Sequence, residues 1–217
     1  MPRKILITGF TPFPGAPENP TAELIAAVEK GEFRAPKNVD LAAKLLPTEY
    51  KRSVDELNEV LAIQKPDALI EFGLSAKASG FTLERIARNE MIAHQADNSG
   101  KRGDDGPIDD LGPDRLESSL PLTGIHAALS QNGLPVDWSD NAGGYVCNHL
   151  FYCTRHHLAE ASPKTAGFIH VPYLVEQRDR LATEGRISEA LHALSREQLF
   201  RGLSIILETV AASCDCN

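Results

Sequence analysis

The chain has 217 residues, of which 42% are hydrophobic and 24% charged; this composition is typical of a globular protein, and we expect one domain over residues 1–217. The formal net charge is −8 and no basic cluster occurs, which argues against nucleic acid as a partner. No run of about eighteen apolar residues indicates a membrane span, and the amino terminus lacks the apolar region of an export signal, so we expect a cytoplasmic protein.

Segments of strand and helix character alternate along the chain. Strands are predicted at 4–8, 41–46, 67–72, 82–87, 134–138 and 166–171. Helices are predicted at 20–30 behind an Asn19 cap, around 54–61, at 123–129, from Cys147 onward and through 199–210. This alternation predicts an α/β fold, a three-layer α/β/α sandwich around a mostly parallel mixed sheet.

The stretch around Cys147 carries the strongest indication of chemistry. Gly143 and Gly144 precede this cysteine, and an apolar repeat at helical spacing follows it. Cys147 is therefore predicted at or near a helix N-terminus, where unpaired N–H groups and the helix dipole favour a thiolate. The glycines allow positive φ and close approach of a substrate. We interpret Cys147 as a nucleophile; a buried cysteine that packs as a small hydrophobe is the alternative.

A cysteine nucleophile acting on an amide needs a base, and among seven histidines His170 is the favoured one. His170 lies near the end of the apolar run 166–171, which Pro172 stops, so it is predicted at the carboxyl end of a buried strand. Ligands of open α/β sheets bind outside such strand ends. Cys147 reaches the same edge if the strand before it is parallel. A core histidine with satisfied hydrogen bonds is the alternative.

The third catalytic group should be an acid or an amide, and thirty carboxylates make spacing alone uninformative. Glu84 is one candidate, because a carboxylate inside the half-apolar segment 81–87 needs a partner if it is buried. A local ion pair with Arg85 is the open alternative. Four cysteines do not suggest a disulfide framework, and no metal or nucleotide motif occurs, so we expect neither metal nor cofactor.

Four separated segments match one known family in order. They are ITGFTPF at 7–13 with Asn19-Pro20, LERIA at 83–87, GYVCNHLFY at 144–152, and GFIHVPY at 167–173 with Glu176-Gln177. On these segments the chain resembles pyroglutamyl peptidase I (pyrrolidone-carboxylate peptidase), a family of cysteine peptidases that remove N-terminal pyroglutamate.

The resemblance implies a catalytic triad of Glu84, Cys147 and His170. Cys147 would attack the carbonyl that joins pyroglutamate to the next residue, His170 would pass the proton to the leaving amine, and Glu84 would orient His170. The resemblance also implies peptides with an N-terminal pyroglutamyl residue as partners, and assembly as a homo-oligomer, often a tetramer.

The family holds the flat lactam ring between phenylalanines of the amino-terminal loop, and Phe10 and Phe13 match those positions. Ordinary core packing is the alternative for both. The resemblance further implies pocket positions at Asn19, Leu74 and Tyr145.

Two departures from the family pattern occur. The loop 73–80 differs from the family's usual Gly-Gln-Ala-Gly-Gly. An arginine usual near the family's active site is matched by His94, with Arg88 as a nearby substitute.

Two other functions remain open from the sequence. A pyroglutamyl-peptide binding protein on the same scaffold, with catalysis impaired by the loop changes, is the first. A nucleoside phosphorylase, which shares the layered α/β architecture, is the second, although the sequence shows no basic phosphate cradle.

Overall fold

A central six-stranded sheet organises the computed structural model of the chain, which describes residues 1–92, 95–161 and 163–214. The strands are β1 (Arg3–Phe10), β2 (Val39–Leu46), β3 (Ala68–Leu74), β4 (Phe81–Glu84), β5 (Ile86–Arg88), β6 (Arg115–Glu117), β7 (Val136–Ser139), β8 (Thr165–Val171), β9 (Tyr173–Leu174) and β10 (Ala193–Leu194). The helices are α1 (Pro20–Glu29), α2 (Tyr50–Gln64), α3 (Leu122–Gln131), α4 (Val146–Arg155), α5 (Val175–Thr183) and α6 (Arg196–Ser213).

The large sheet has the strand order β2-β1-β3-β8-β4-β7. The first four strands in this order are mutually parallel, β4 runs antiparallel to β8, and β7 runs parallel to β4. The central strands β1 and β8 are buried along nearly their whole length, as expected for parallel strands covered on both faces. The sheet is therefore mixed but mostly parallel, as predicted.

Two apolar clusters lie on opposite faces of this sheet. Because side chains alternate along a strand, Ile5 and Ile7 of β1 face one cluster while Leu6 faces the other. The first cluster includes apolar side chains of α1, α3 and α6, and the second includes those of α2 and α4. This arrangement confirms the predicted three layers. None of the described helices combines the length and apolarity needed to cross a bilayer.

The single strand predicted at 82–87 is wrong. The chain leaves the large sheet at Arg85, so that β4 pairs with β8 while β5 pairs with β6 in a separate two-stranded sheet. Arg85 is at the break because its N–H donates to Ser139 and its side chain forms an ion pair with Asp140, both outside β8. Helix α5 was not predicted, because only Gln177 and Leu181 of its nine residues are buried and the apolar repeat is too weak.

Candidate active site

Cys147 is the second residue of α4, as predicted from the glycines before it. Gly143 has a φ of +83°, which a residue with a side chain rarely adopts. Gly144 lies against Ile92, where an added Cβ would come within 2.4 Å of Cγ1. No side chain caps this helix end at Tyr145, so the first-turn N–H groups remain available to an anionic group beside Cys147.

The sulfur of Cys147 lies over the neighbouring strands β3 and β8. Gly73 pairs with His170 in the register of these strands, and a Cβ on Gly73 would lie 3.0 Å from the Cys147 Sγ. We predicted Cys147 at the same sheet edge as His170 on the condition that the strand before Cys147 is parallel to the strand of His170. That condition is not met, because β7 runs antiparallel to β8. Residues 140–145 carry the chain from β7 to the start of α4 instead.

Glu84 and His170 form a buried pair across β4 and β8. Glu84 is opposite Phe168 in the antiparallel register, two residues from His170, so both side chains project from the same face. The Glu84 Oε1 lies 2.7 Å from the His170 Nδ1, and the two side chains are 2% and 6% exposed. With Nδ1 engaged by the carboxylate, Nε2 is the ring nitrogen left for the sulfur.

The charges of the site oppose the effect of burial on His170. Burial alone lowers the pKa of the imidazole, but hydrogen bonds and charge interactions with Cys147 and Glu84 outweigh it and raise the pKa to about 10. These interactions favour the protonated form of the imidazole beside Cys147 and Glu84. The contrast on the same helix is Cys153, whose pKa is raised to about 12 by burial, so that its thiol is inert.

A cavity of about 450 Å³ opens onto these three side chains. Phe13 and Tyr145 line it with ring centroids 5.6 Å apart, and Leu74 lines it from the end of β3. The Tyr145 hydroxyl donates to the Ala96 carbonyl at 3.0 Å, which fixes the ring in place. The cavity thus offers aromatic faces together with a thiol and an imidazole.

The remaining predicted residues lie elsewhere. Phe10 is 2% exposed and packs against Phe168, so it is a core residue next to the cavity and not one that lines it. Asn19 caps α1, where its Oδ1 accepts from the Thr21 N–H at 3.0 Å. His94 lies outside the described residues.

Arg88 belongs to a separate and larger cavity of about 820 Å³, which Arg85, Arg115 and Trp138 also line. The Arg88 Nε donates to the Asp140 carbonyl at 2.8 Å. This larger cavity is not lined by Glu84, Cys147 or His170, so the proposed catalytic residues lie in the smaller of the two cavities.

Asn148 is a residue of the site that the sequence reasoning missed. It is fully buried beside Cys147, and its Nδ2 donates to the carbonyls of Arg88 and Glu90 at 2.8 and 3.0 Å while its Oδ1 accepts from the Arg88 N–H at 3.0 Å. These bonds attach the start of α4 to the last residue of β5 and to the segment after it. The only signal in the sequence is a polar residue at a position that the apolar repeat places inward.

The chain is similar to known proteins over nearly its whole length. The family model described as "Pyroglutamyl peptidase" matches residues 3–213. A pyrrolidone-carboxylate peptidase of Brevibacillus brevis is 36% identical over 208 residues, covering 95% of this chain and 92% of that protein. The crystal structure of pyrrolidone carboxyl peptidase from Pyrococcus furiosus superposes with a TM-score of 0.87 at 32% identity, covering 97% of this chain and 99% of that one. The crystal structure of pyroglutamyl peptidase I from Bacillus amyloliquefaciens gives a TM-score of 0.84 at 30% identity, with 97% of each chain covered.

Proposed function

Because the chain belongs to the pyroglutamyl peptidase family, we propose that it is a cysteine exopeptidase that hydrolyses the amide bond after an N-terminal pyroglutamyl residue. One observation carries this conclusion at the level of the site. Glu84, His170 and Cys147, far apart in the sequence, converge on one cavity that has an aromatic wall.

In this proposal Cys147 is the nucleophile. Its sulfur attacks the pyroglutamyl carbonyl carbon, the carbonyl oxygen becomes an oxyanion, and the first-turn N–H groups of α4 stabilise that charge. His170, protonated beside the thiolate, gives its proton to the leaving nitrogen as the C–N bond breaks. The released amine is the shortened peptide, and the pyroglutamyl group remains as a thioester on Cys147.

Hydrolysis of the thioester then reverses the role of the imidazole. His170, now neutral, takes a proton from a water molecule that attacks the thioester carbonyl, and the Cys147 sulfur leaves. Glu84 holds Nδ1–H throughout, which keeps Nε2 directed at the reacting atoms. Free pyroglutamate and the starting thiolate–imidazolium pair are the products of this step.

The aromatic wall accounts for the proposed substrate. A lactam ring is flat and uncharged, and it presents apolar faces that Phe13 and Tyr145 would contact. Its single amide edge would meet the chain near Leu74, which lines the same cavity. A free α-amino group in this position would lose its hydration without gaining a carboxylate partner at the rings, so a blocked amine is preferred.

We place the enzyme in the cytoplasm, a reducing compartment that protects a nucleophilic thiol from oxidation. Assembly as a homo-oligomer, and a tetramer in particular, stays a prediction drawn from the family.

The test is release of a coumarin fluorophore from pyroglutamyl-aminomethylcoumarin, compared with the prolyl and glutamyl analogues. We expect turnover of the pyroglutamyl compound alone, loss of turnover in Cys147→Ser, and retention in Cys153→Ser, which changes a buried thiol on the same helix. Absence of turnover by folded wild-type protein, or equal turnover of the prolyl compound, would count against the proposal.

A further inference from the structure

A second group of chemically reactive side chains lies at the other end of α4, away from Cys147. His156 and His157 follow the helix, and both Nε2 atoms point to one oxygen of Asp109. The Nε2 of His157 is 3.0 Å from the Asp109 Oδ2, and that of His156 is 3.3 Å from it. The three side chains are partly exposed, so an ion from solution can reach them.

The two carboxylate–imidazole spacings in this group are close to those that a divalent transition metal ion requires. All three potential ligand atoms lie within 4.8 Å of one another. Ligands placed about 2.0–2.2 Å from a tetrahedral zinc ion are separated by roughly 3.3 Å along each edge, close to both carboxylate–imidazole distances. Two imidazoles and one carboxylate are also a donor set that suits such ions, whereas calcium and magnesium prefer oxygen alone.

Asp109 is held in place before any ion arrives. The Asn89 Oδ1 accepts from the N–H groups of Ile108 and Asp109 at 2.8 and 2.9 Å, and its Nδ2 donates to the Asp109 carbonyl at 2.7 Å. The Asp109 Oδ1 accepts from the Leu111 N–H at 2.9 Å. One carboxylate oxygen is thus occupied by backbone, and Oδ2 alone faces the histidines.

Gly112 and Tyr152 pack the loop against the histidines. A Cβ on Gly112 would lie 2.1 Å from the Tyr152 hydroxyl and 3.2 Å from the His156 Nε2, so only glycine fits between loop and helix. The Tyr152 hydroxyl donates to the Pro113 carbonyl at 3.1 Å. These contacts fix the loop that carries Asp109 against the end of α4.

We propose that Asp109, His156 and His157 bind one divalent transition metal ion of the zinc class, with water completing its coordination. The ion would bond to Oδ2 and to both Nε2 atoms; each ligating imidazole would be neutral, with its one proton on Nδ1 and the Nε2 lone pair given to the ion. Binding would join the loop that carries Asp109 to the end of α4, independently of the proposed peptidase activity.

The experiment uses the full chain with Cys147→Ser, which removes the active-site thiolate as a competing ligand. Titration with Co²⁺, followed by visible absorption, and with Zn²⁺, followed by calorimetry, is expected to give one ion per chain. The Co²⁺ spectrum should contain ligand-field bands without the intense sulfur-to-metal charge-transfer band that a thiolate ligand produces. A charge-transfer band, or no saturable binding, would overturn the proposal.

Variants assign the ion to these residues. Asp109→Asn keeps an oxygen that can accept from the Leu111 N–H but removes the negative charge. Asp109→Asn and His157→Ala, made separately, should each weaken Zn²⁺ affinity by at least about tenfold, since even the loss of a group that only contacts a ligand costs about 10–100-fold. His192→Ala, which changes an exposed histidine elsewhere, should bind as the parent does. The midpoint temperature of unfolding should rise with Zn²⁺ in the parent and not in Asp109→Asn. The midpoint of Asp109→Asn without metal, compared with that of the parent, shows whether the variant is folded. Equal affinities across all variants would refute the assignment.

Discussion

Glu84→Gln is the sharpest perturbation of the proposed triad, because it changes one atom and leaves the shape of the side chain. In the wild type the carboxylate accepts the His170 Nδ1–H at 2.7 Å, in a position where both side chains are almost completely buried. A glutamine turned to donate its amide N–H to Nδ1 would stabilise the opposite tautomer, with the proton on Nε2. That tautomer cannot accept a proton from Cys147.

The expected loss follows from two contributions. A buried hydrogen bond to a charged group contributes about 1.5–3 kcal/mol, which corresponds to roughly 10–150-fold in rate. Reversal of the tautomer adds to this, since the corresponding change in a serine triad reduces kcat by about 10⁴-fold. We therefore expect kcat to fall by between about 10² and 10⁴-fold for Glu84→Gln.

The assay is steady-state hydrolysis of pyroglutamyl-aminomethylcoumarin across the pH range in which the protein is folded. KM should change much less than kcat, because Glu84 acts through His170 and does not contact the lactam in our account. The alkaline limb of the profile should also move to lower pH, since Glu84 helps to raise the pKa of His170 to about 10. A kcat within threefold (~0.7 kcal/mol) of wild type would refute the assigned role of Glu84.

Glu71→Gln is the matched control, a buried glutamate on β3 that does not line the cavity. Burial raises the pKa of Glu71 to about 8, so its carboxyl group is mostly protonated at pH 7 and glutamine resembles it. Its Oε1 accepts from the Thr154 hydroxyl at 2.7 Å, a bond that the glutamine carbonyl can also accept. Activity should therefore be close to that of the wild type.

Three further predictions concern the frame of the site. Gly73→Ala places a Cβ 2.7 Å from the Phe168 ring, so the free energy of unfolding in urea should fall by about 1–3 kcal/mol. Gly73→Ala should also reduce kcat more than Gly9→Ala does, and an unchanged kcat would contradict the close packing at Gly73. Asn148→Ala leaves partly buried backbone groups of Arg88 without this partner, and denaturation should show a loss of about 1–3 kcal/mol, whereas a loss below about 0.5 kcal/mol would refute its anchoring role. Between pH 4.5 and 8 the unfolded chain has lost the Glu71 proton that the folded chain keeps, so this group should lower the free energy of unfolding by about 1.4 kcal/mol per pH unit as the pH rises. The difference in unfolding free energy between wild type and Glu71→Gln across this range measures that contribution. Parallel curves of unfolding free energy against pH would exclude it.

The local parts of the site were predictable from the sequence. Gly143 and Gly144 before an apolar helical repeat indicate a helix that begins near Cys147, because both signals lie within a few residues of it. The apolar run that contains His170 likewise predicts a buried strand by its composition alone. Such patterns depend on the backbone preferences of adjacent residues and need no knowledge of the sheet order.

The partners of these residues were not predictable in the same way. Glu84 meets His170 only because β4 turns antiparallel beside β8, and nothing near Glu84 in the sequence encodes that neighbour. The break after Glu84 depends on the contacts of Arg85 with Ser139 and Asp140, which are equally distant in the chain. The resemblance to a family supplied the acid that residue patterns alone left open.

The same limit applies to the pocket. Phe10 and Phe13 are three residues apart and look alike in the sequence, yet Phe13 lines the cavity while Phe10 packs against the core. Which ring faces the cavity depends on how β1 ends against the second apolar cluster. This packing is a property of the assembled layers.

The most direct test of the account is to identify the residue that carries the pyroglutamyl group during turnover. Wild-type protein is mixed with a pyroglutamyl ester or amide, quenched in acid within one turnover, digested and mapped by mass spectrometry. We predict a pyroglutamyl thioester on the peptide that contains Cys147, and none in Cys147→Ser. Turnover that persists in Cys147→Ser, or an acyl group on a different residue, would contradict the central claim.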